Sequence, residues 1–342
     1  MTRTNGQWVL ASRPEGMIAE SNFEYKEEPL REIGDGEVLI RNLYLAFEPA
    51  MRGWVDDVPS YIPPVGIGEV MRASTVGQVI ESKNDAYPTG KLVSGMFGWQ
   101  QYVIGDGTRG PFGGISNVPD GIPPYKMLSL LGGTGLTAYF GVHAIHPIQE
   151  GDNVLVSGAA GATGSVVAQI ARLRGAGKVV GIAGGPDKCD WLRNKAKVDG
   201  AIDYKNENVG RRIREEFPKG VDLFFDNVGG DILDATLPRM ADNGRITMCG
   251  GISGYNEKEL PAGPRNIMQI VIHRLSVRGF ILFDHIAGVG EAIRDLTAWS
   301  ESGELVVEED IQEGFENTPK TFLRLFQGKN LGKQLIRIAD AE

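Results

Sequence analysis

The pattern of hydrophobic and polar positions divides this chain of 342 residues into two parts. Up to about residue 130, short runs such as Glu37–Tyr44 and Thr75–Glu81 alternate apolar and polar side chains. A period of two predicts half-buried β-strands, so this part is predicted to be a largely antiparallel β domain. From about Ser129 to Gly303, strand-like runs alternate with helical patterns, which predicts a parallel, doubly wound α/β sheet.

The second part contains several predicted strands with predicted helices between them. The strands are Asn153–Val156, Lys178–Ala183, Val221–Asp226, Arg245–Cys249 and Leu275–Phe280. The helices are Asp187–Ala196, Asn208–Phe217 and Ile232–Met240. After Val306 the chain has one more helical pattern, Thr318–Phe326, and a strand-like run, Gly332–Ile338. This tail can return to the first domain, which would then be discontinuous.

A glycine-rich turn after the first of these strands carries the clearest functional signal. Gly158, Gly161 and Gly164 lie three residues apart, and a helical pattern follows from Ser165 to Arg174. Glycines allow a tight turn and a close backbone approach, and the N–H groups at a helix start bind a pyrophosphate. The spacing is GxxGxxG rather than GxGxxG, but the strand before it and the helix after it favour a dinucleotide site. The alternative is a turn that only packs the helix against the sheet.

The end of the next strand bears on the choice between NAD and NADP. An NAD-binding fold usually places an acidic residue there, which binds the ribose 2′-hydroxyl. Here the strand ends in Ala183, Gly184 and Gly185, and the first charged residues are Asp187 and Lys188. Small residues leave room for a 2′-phosphate and Lys188 can supply its countercharge, which favours NADP. Lys188 can equally lie on a solvated helix face.

Composition and charge argue against several other classes of function. The net charge of −9 argues against nucleic acid as a partner. No apolar run reaches the ~18 residues that a membrane span needs, so we expect no membrane association. The N-terminal residues Met1–Trp8 lack the apolar core of a signal peptide. Cys189 and Cys249 are the only cysteines, so there is no disulfide framework, as is typical of a reducing cytoplasm.

The sequence has no evident zinc ligand set. No cysteine precedes Cys189, and the pair His143 and His146 is followed at once by Pro147, so we expect no metal site. Without a metal or a covalent nucleophile, the nicotinamide of the cofactor must carry out the redox step, and the protein must supply a hydrogen-bond donor. Tyr255, in the loop after a predicted strand, can donate to an enolate oxygen. It can also be a tyrosine that packs at a loop edge.

Several separate motifs together resemble one family along nearly the whole chain. They are Ala160-Gly-Ala-Thr-Gly-Ser165, Phe225-Asp-Asn-Val-Gly-Gly230, Gly250-Gly-Ile-Ser-Gly-Tyr255, Gly328-Lys-Asn-Leu-Gly-Lys333, Leu136–Gly141 and Glu48–Gly53. This set resembles the zinc-free prostaglandin reductase and alkenal double-bond reductase group of the medium-chain dehydrogenase/reductase superfamily. The resemblance implies a GroES-like, mostly antiparallel β domain of residues 1–128 and 307–342, and a Rossmann NADP-binding domain of residues 129–306. It also implies a homodimer.

The resemblance carries a cofactor site over residue by residue. The pyrophosphate turn matches Gly161, Ala162, Thr163, Gly164 and Ser165, and the 2′-phosphate site matches Lys188 and Tyr204. Asn227 matches the ribose contact, and Asn330 matches the contact from the tail. The nicotinamide-side loop matches Cys249, Gly250, Ile252 and Ser253. The segment that meets the carboxamide matches Phe280, Ile281 and Leu282. Tyr255 ends the nicotinamide-side loop and is the expected catalytic residue.

Two departures from the family pattern concern the substrate. Many relatives have Asp-Pro-Tyr-Met-Arg where this chain has Glu-Pro-Ala50-Met-Arg, so a tyrosine near the pocket is missing. Gly133 and Thr134 stand where other members carry Met-Pro. Both changes remove bulk near the substrate. Tyr61 can partly refill that space or can be a plain turn tyrosine, so Ala50 and Tyr61 are the candidate pocket residues.

The resemblance, together with the residues, predicts NADPH-dependent reduction of the C=C bond of an α,β-unsaturated ketone or aldehyde. Hydride passes to the β-carbon, and the Tyr255 hydroxyl stabilises the negative charge on the carbonyl oxygen. One alternative is a zinc-independent oxidoreductase on the same scaffold that interconverts alcohol and ketone or reduces a quinone. Another is a protein that binds NADPH without turning it over.

Overall fold

The computed structural model describes residues 3–108, 114–259 and 261–342. Its strands β1 to β15, in chain order, are Thr4–Leu10, Phe23–Pro29, Val38–Ala46, Thr75–Ser82, Leu92–Gly95, Tyr102–Gly105, Ser116–Asn117, Asn153–Ser157, Lys178–Ala183, Gly200–Asp203, Val221–Asp226, Met240–Met248, Ser276–Gly279, Glu309–Glu313 and Lys333–Arg337. Its helices α1 to α9 are Met51–Trp54, Gly133–Phe140, Ala162–Leu173, Pro186–Asn194, Val209–Glu216, Gly230–Thr236, Gln269–Ile272, Val289–Glu301 and Thr318–Leu323. Within these described ranges, no helix has both the length and the apolar character that crossing a bilayer requires.

The chain forms two compact units, and the first of them is discontinuous in sequence. It comprises the chain up to Ser129 together with Glu309–Glu342. Its main sheet has the order β14-β15-β3-β4-β5-β7, with β6 also paired to β3. The pair β14 and β15 is parallel, whereas β15–β3, β3–β4, β4–β5 and β3–β6 are antiparallel. The strands predicted from Glu37–Tyr44 and Thr75–Glu81 are β3 and β4, which pair with each other.

Aromatic packing binds the C-terminal tail into the first unit. Phe322 of α9 is fully buried, and its ring centroid lies 6.1 Å from that of Phe47 and 5.6 Å from that of Trp99. Phe23 packs on the same Trp99 ring at 4.8 Å. Side chains of this size contribute the largest single shares of hydrophobic burial in a core, so the tail is part of the core of this unit.

The second unit, Leu130–Glu308, contains a six-stranded sheet in which every pair is parallel. The strand order is β10-β9-β8-β11-β12-β13. The chain therefore starts at the centre with β8, builds one half outward to β10, and then crosses to β11 to build the other half. In such a sheet the ligand crevice lies outside the carboxyl ends of the strands where the order reverses, here between β8 and β11.

Two details of the second unit differ from the pattern-based prediction. The helix predicted at Ile232–Met240 is wrong at its C-terminal end, since α6 stops at Thr236 and Met240 already begins β12. Pro238 follows the helix, in a short 3₁₀ turn, and has no N–H with which to continue the helical hydrogen bonds. The four-residue strand β10 is absent from the predicted set because it is too short to show a repeat.

Candidate active site

The loops at the carboxyl edge of the six-stranded sheet carry nearly all the predicted cofactor residues. Because the strands are parallel, their carboxyl ends lie along one edge. Gly161–Ser165 follow β8, Lys188 follows β9, and Tyr204 follows β10. Asn227 follows β11, the stretch from Cys249 to Tyr255 follows β12, and Phe280–Leu282 follow β13. Asn330 belongs to the first unit, just before β15, where its Nδ2 donates to the Gly332 carbonyl at 3.0 Å.

The glycine turn after β8 leaves the start of α3 open. Gly161 is the N-cap of α3 and provides no side-chain cap. The Ser165 N–H donates back to the Gly161 carbonyl at 3.0 Å, whereas the first N–H groups of a helix have no acceptor within it. A side-chain carbon on Gly164 would overlap the carbonyl oxygen of Gly158, so the turn closes this tightly only with glycine. A tight turn that ends in an uncapped helix start fits a pyrophosphate.

A tyrosine and a lysine cover the glycine pair at the end of β9. A carbon built on Gly184 would lie 2.8 Å from the Tyr204 ring and 3.0 Å from Cε of Lys205. Both side chains are exposed, and Lys188 lies in the first turn of α4 that starts directly after this pair. The corner therefore brings Tyr204 and Lys205 together on small residues. The sequence prediction did not include Lys205. The only feature of the sequence that could have indicated this lysine is its position next to Tyr204.

Asp203 fixes the backbone of this corner. Its carboxyl accepts the Gly185 N–H at 2.8 Å, the Lys205 N–H at 3.1 Å and the Asn206 side-chain amide at 2.7 Å. Burial by itself would raise the pKa of Asp203, but these hydrogen bonds hold the pKa below its ordinary value. The Asp203 carboxylate therefore accepts hydrogen bonds from the residues of this corner and holds its backbone in place.

Hydrogen bonds join the ends of β8 and β11, the two strands at the crossover point. The Ser157 hydroxyl donates to Asp226 at 2.6 Å, and the Asn227 N–H donates to the Ser157 oxygen at 2.8 Å. The Asn227 side-chain nitrogen donates to the Ser157 carbonyl at 2.7 Å, which leaves the amide oxygen of Asn227 as its other hydrogen-bonding atom. The prediction named Asn227 but not Ser157 or Asp226, although both are polar residues that end apolar strands.

The loop after β12 presents Tyr255. The N–H groups of Cys249 and Gly250 donate to the Asp226 carbonyl at 2.8 and 3.2 Å, and a 3₁₀ turn then leads to the tyrosine. The Gly251 N–H donates to the Tyr255 hydroxyl at 3.1 Å. Burial raises the pKa of Tyr255 above its ordinary value of 10, although the Gly251 hydrogen bond opposes this. The phenol is therefore neutral near pH 7 and keeps its own proton to donate.

Cys249, in the same loop, is a neutral thiol. Burial raises the pKa of Cys249 to about 12, and the nearby Asp226 carboxyl adds to this effect. A thiol with such a pKa has almost no thiolate at pH 7 and is a poor nucleophile. Cys249 therefore contributes shape and an apolar surface to the loop.

The two histidines that are three residues apart have separate surroundings, since the His143 ring stacks on that of Tyr139 with the centroids 4.9 Å apart. His146 is buried, and its ring nitrogens lie 3.1 Å from Thr247 Oγ1 and 3.1 Å from Ser276 Oγ. Burial, with Arg245 and Arg278 nearby, lowers the pKa of His146 to about 4. Its ring thus joins β12 to β13 in the neutral form. Across the described ranges, no group of three or more His, Cys, Asp or Glu side chains could hold a metal ion.

The candidate substrate residues Ala50 and Tyr61 both lie in the first unit. Ala50 directly precedes α1 and packs against the aromatic core of that unit. Tyr61 is 47% exposed, and its hydroxyl accepts the Trp54 indole N–H at 3.0 Å. Gly133 and Thr134, the other departure from the family pattern, begin α2 in the second unit.

Comparison with known proteins identifies the family of this chain. A family described as "N-terminal domain of oxidoreductase" matches residues 6–110, and one described as "Zinc-binding dehydrogenase" matches residues 162–299. The NADPH-dependent curcumin reductase of Escherichia coli is 38% identical over 98% of this chain and 97% of its own length. Prostaglandin reductase 1 of Bos taurus is 38% identical over 96% of this chain and 98% of its own length.

The chain belongs to the medium-chain dehydrogenase/reductase superfamily, as its motifs predicted. The crystal structure of CurA in complex with NADPH from Vibrio vulnificus has a TM-score of 0.92 and 37% identity, covering 98% of this chain and 99% of that one. The predicted combination of a Rossmann sheet with a GroES-like, mostly antiparallel β domain is thereby confirmed for this superfamily member.

Proposed function

We propose that this protein uses NADPH to reduce the C=C bond of α,β-unsaturated ketones or aldehydes. The observation that carries the proposal is the Tyr255 hydroxyl, which accepts the Gly251 N–H and so keeps its own proton for a substrate oxygen. The relatives support the reaction class, since they are named as a curcumin reductase and a prostaglandin reductase. The match to CurA in complex with NADPH supports the cofactor.

The residues along the carboxyl edge fit NADPH, which supplies the hydride when it is bound. In this proposal the uncapped start of α3, Gly161–Ser165, binds the pyrophosphate, and the amide oxygen of Asn227 accepts a ribose hydroxyl. Cys249, Gly250, Ile252 and Ser253 line the nicotinamide side. The backbone of Phe280, Ile281 and Leu282 meets the carboxamide.

Tyr255 stabilises charge that develops on the substrate. When the β-carbon gains a hydride, the carbonyl oxygen becomes an enolate oxygen and attracts a hydrogen-bond donor. A neutral phenol held by Gly251 needs no reorganisation to donate, and its partial burial strengthens the interaction. The α-carbon then takes a proton from solvent or from a nearby hydroxyl, which completes the reduction. We assign no metal to this reaction.

An assay of α,β-unsaturated carbonyl compounds tests the proposed reaction. The panel comprises a lipid-type enal, an aliphatic enone and an aromatic enone, each with NADPH and with NADH. We expect loss of NADPH absorbance and, by mass spectrometry and NMR, a saturated carbonyl product. An allylic alcohol as product, or oxidation with a quinone alone, would contradict double-bond reduction. No oxidation with any acceptor would indicate a binding protein without turnover.

Cofactor selection is proposed to depend on the corner formed by Tyr204, Lys205 and Lys188. Lys205→Ala is expected to weaken binding of 2′,5′-ADP about tenfold, because one charge-assisted contact to the 2′-phosphate is lost. Binding of 5′-AMP should stay within twofold. Isothermal titration calorimetry measures both ligands, and Lys195→Ala, an exposed lysine at the other end of α4, is the matched control. Equal losses for both ligands would contradict the assignment.

We propose that the first unit is the substrate domain and that the second unit is the NADP-binding domain. In this proposal Ala50 and Tyr61 are pocket residues of the first unit. We also infer a cytoplasmic location, because Cys189 and Cys249 are both free thiols and a reducing compartment keeps them so.

A homodimer is proposed to form at the edge of the six-stranded sheet. Within the described chain, β13 pairs with β12 alone, and all four of its residues are exposed. Val271, Ile272 and Val277 nearby are 65%, 54% and 40% exposed. An open strand edge beside exposed apolar side chains readily pairs with a second copy of the same surface.

A charge placed in this surface should dissociate the dimer. Ile272→Glu is expected to convert the protein from dimer to monomer in light scattering after size exclusion at micromolar concentration. Val58→Glu, at an equally exposed valine in the first unit, is the control and should remain dimeric. A wild-type protein that elutes as a monomer would contradict the proposal.

A further inference from the structure

The carboxyl of Asp226 is a buried acid that the proposed mechanism does not use. It ends β11 with no exposed surface. It accepts the Ser157 hydroxyl at 2.6 Å, the Val228 N–H at 2.9 Å and the Gly229 N–H at 3.1 Å from each carboxyl oxygen. All of these groups donate to the carboxyl, as an ionised carboxylate requires.

Among the residues that the structure describes, no cation compensates this carboxylate. Buried acids are usually paired with a basic side chain, because an isolated charge in a low dielectric is costly. Over the part of the chain that the structure describes, Asp226 has hydrogen-bond donors around it but no ion pair with a lysine, arginine or histidine. Burial raises the pKa of Asp226, and the donated hydrogen bonds oppose this rise. The donor geometry, with an O–H and two N–H groups all directed at the carboxyl oxygens, is that of a negatively charged carboxylate at the crossover point of the sheet.

Asp226 connects the three loops that are proposed to hold the reactive half of the cofactor. Its carboxylate holds Ser157, the last residue of β8 before the glycine turn, and Ser157 in turn holds Asn227. Its backbone carbonyl accepts the N–H groups of Cys249 and Gly250, which begin the loop to Tyr255. A change in the Asp226 side chain therefore acts directly on the loops after β8 and β11, and the backbone of the same residue holds the loop after β12.

The field of the carboxylate reaches the nicotinamide-side loop. Burial is the main reason why the pKa values of Cys249 and Tyr255 are raised, and the Asp226 charge raises both further. The nicotinamide ring is neutral in NADPH and positively charged in NADP⁺. A fixed negative charge beside this loop therefore stabilises the oxidised ring relative to the reduced one.

We propose that Asp226 is a positioning residue that fixes these three loops and, through its charge, biases the site toward the oxidised cofactor. The inference rests on the proposed function, since it requires NADP at the carboxyl edge. A site that favours the positively charged ring favours the release of hydride to an acceptor. Asp226 contributes this bias without touching the reacting atoms.

Two variants separate the charge from the hydrogen bonds. Asp226→Asn removes the charge and keeps the size of the side chain, whereas Ser157→Ala removes the two hydrogen bonds of the hydroxyl and keeps the charge. Binding of NADP⁺ and of NADPH to the full chain is measured by calorimetry. Asp226→Asn is expected to weaken NADP⁺ about tenfold relative to NADPH, the size of one partly screened charge interaction. Ser157→Ala should leave the ratio of the two dissociation constants within twofold.

The loop-fixing role has its own readout. Ser157→Ala is expected to lower kcat about tenfold with binding of 2′,5′-ADP unchanged, and Ser157→Thr, which keeps a hydroxyl, should recover most of kcat. An unchanged kcat in Ser157→Ala would overturn the positioning role, and so would a loss that Ser157→Thr fails to recover.

The charge bias is overturned if the ratio of the NADP⁺ and NADPH dissociation constants is unchanged in Asp226→Asn. It is also overturned if Ser157→Ala shifts this ratio equally. Circular dichroism checks the fold, and Asp226→Ser is the second neutral variant. If neither neutral variant folds, the serine pair decides the positioning role, and the wild-type ratio of the dissociation constants decides the charge bias, which requires NADP⁺ to bind more tightly than NADPH. A wild-type protein that binds neither form of the cofactor would instead overturn the proposed function itself.

Discussion

Replacement of Tyr255 by phenylalanine is expected to lower kcat for enone reduction about 100-fold to 1,000-fold, with NADPH binding nearly unchanged. The hydroxyl is the donor aimed at the developing enolate, and the Gly251 N–H holds it in place at 3.1 Å. The loss should be in kcat rather than in KM, because the substrate carbonyl accepts a strong hydrogen bond only when it becomes an enolate. Stopped-flow measurement of NADPH oxidation, together with calorimetric NADPH binding, gives both quantities.

A second tyrosine provides the control for the lost hydroxyl. Tyr87 donates to the Ile115 carbonyl at 3.0 Å in the first unit, so Tyr87→Phe also removes one backbone hydrogen bond of similar length. This variant should keep kcat within twofold. Equal turnover of Tyr255→Phe and wild type across several enones would show that Tyr255 is not the donor.

The pH dependence follows from the protonation of the same phenol. Burial raises the pKa of Tyr255 above 10, so the donor proton is present at all pH values below that and is lost only as the pH rises further. Between pH 7 and pH 9 the tyrosine should therefore cause no decrease in kcat.

Replacement of Gly164 by alanine is expected to abolish tight NADPH binding and to destabilise the second unit. The added carbon would overlap the Gly158 carbonyl oxygen and lie 2.9 Å from Cα of Ala159. Backbone atoms on both sides cannot rotate away, so the turn must open or α3 must shift. Overpacking of this kind costs about 1–3 kcal/mol of unfolding free energy. Denaturant unfolding and calorimetric NADPH binding measure the two effects.

Gly161→Ala is the matched control in the same turn. Its backbone is extended, with φ of −86° and ψ of 175°, which alanine adopts without strain. The added carbon would meet only the Gly158 oxygen, at 3.1 Å. We expect a smaller loss of stability and weaker but measurable binding. If Gly164→Ala bound NADPH as tightly as wild type, the close approach at Gly164 would have no role in the cofactor site.

Much of the second unit was predictable from the sequence because its central strands are buried on both faces. Such strands read as continuous apolar runs, as in Asn153–Ser157 and Lys178–Ala183, and the glycines after the first mark the turn. Strand β10 was not predictable, since its four residues include a glycine and an aspartate. The C-terminal end of α6 was not predictable either, because an apolar helical pattern continues through Pro238 into β12.

The site residues divide in the same way. Gly161, Asn227 and Tyr255 belong to local motifs, so a resemblance was enough to name them. Asp226 has a role that depends on Ser157, which is 69 residues away, and no local pattern records that partnership. Lys205 reaches Gly184 only because β10 lies beside β9. Partnerships of this kind come from the order of strands in the sheet.

The return of the tail into the first unit has a consequence for biosynthesis. The second unit is one continuous stretch, so it can fold as soon as it leaves the ribosome. The first unit must wait for Phe322, because Phe47 and Trp99 pack against that ring. At about 5–20 residues per second, the intervening chain takes on the order of ten seconds or more to synthesise. During this interval Phe47 and Trp99 remain without their last packing partner, so the nascent first unit exposes apolar surface of the kind that promotes aggregation.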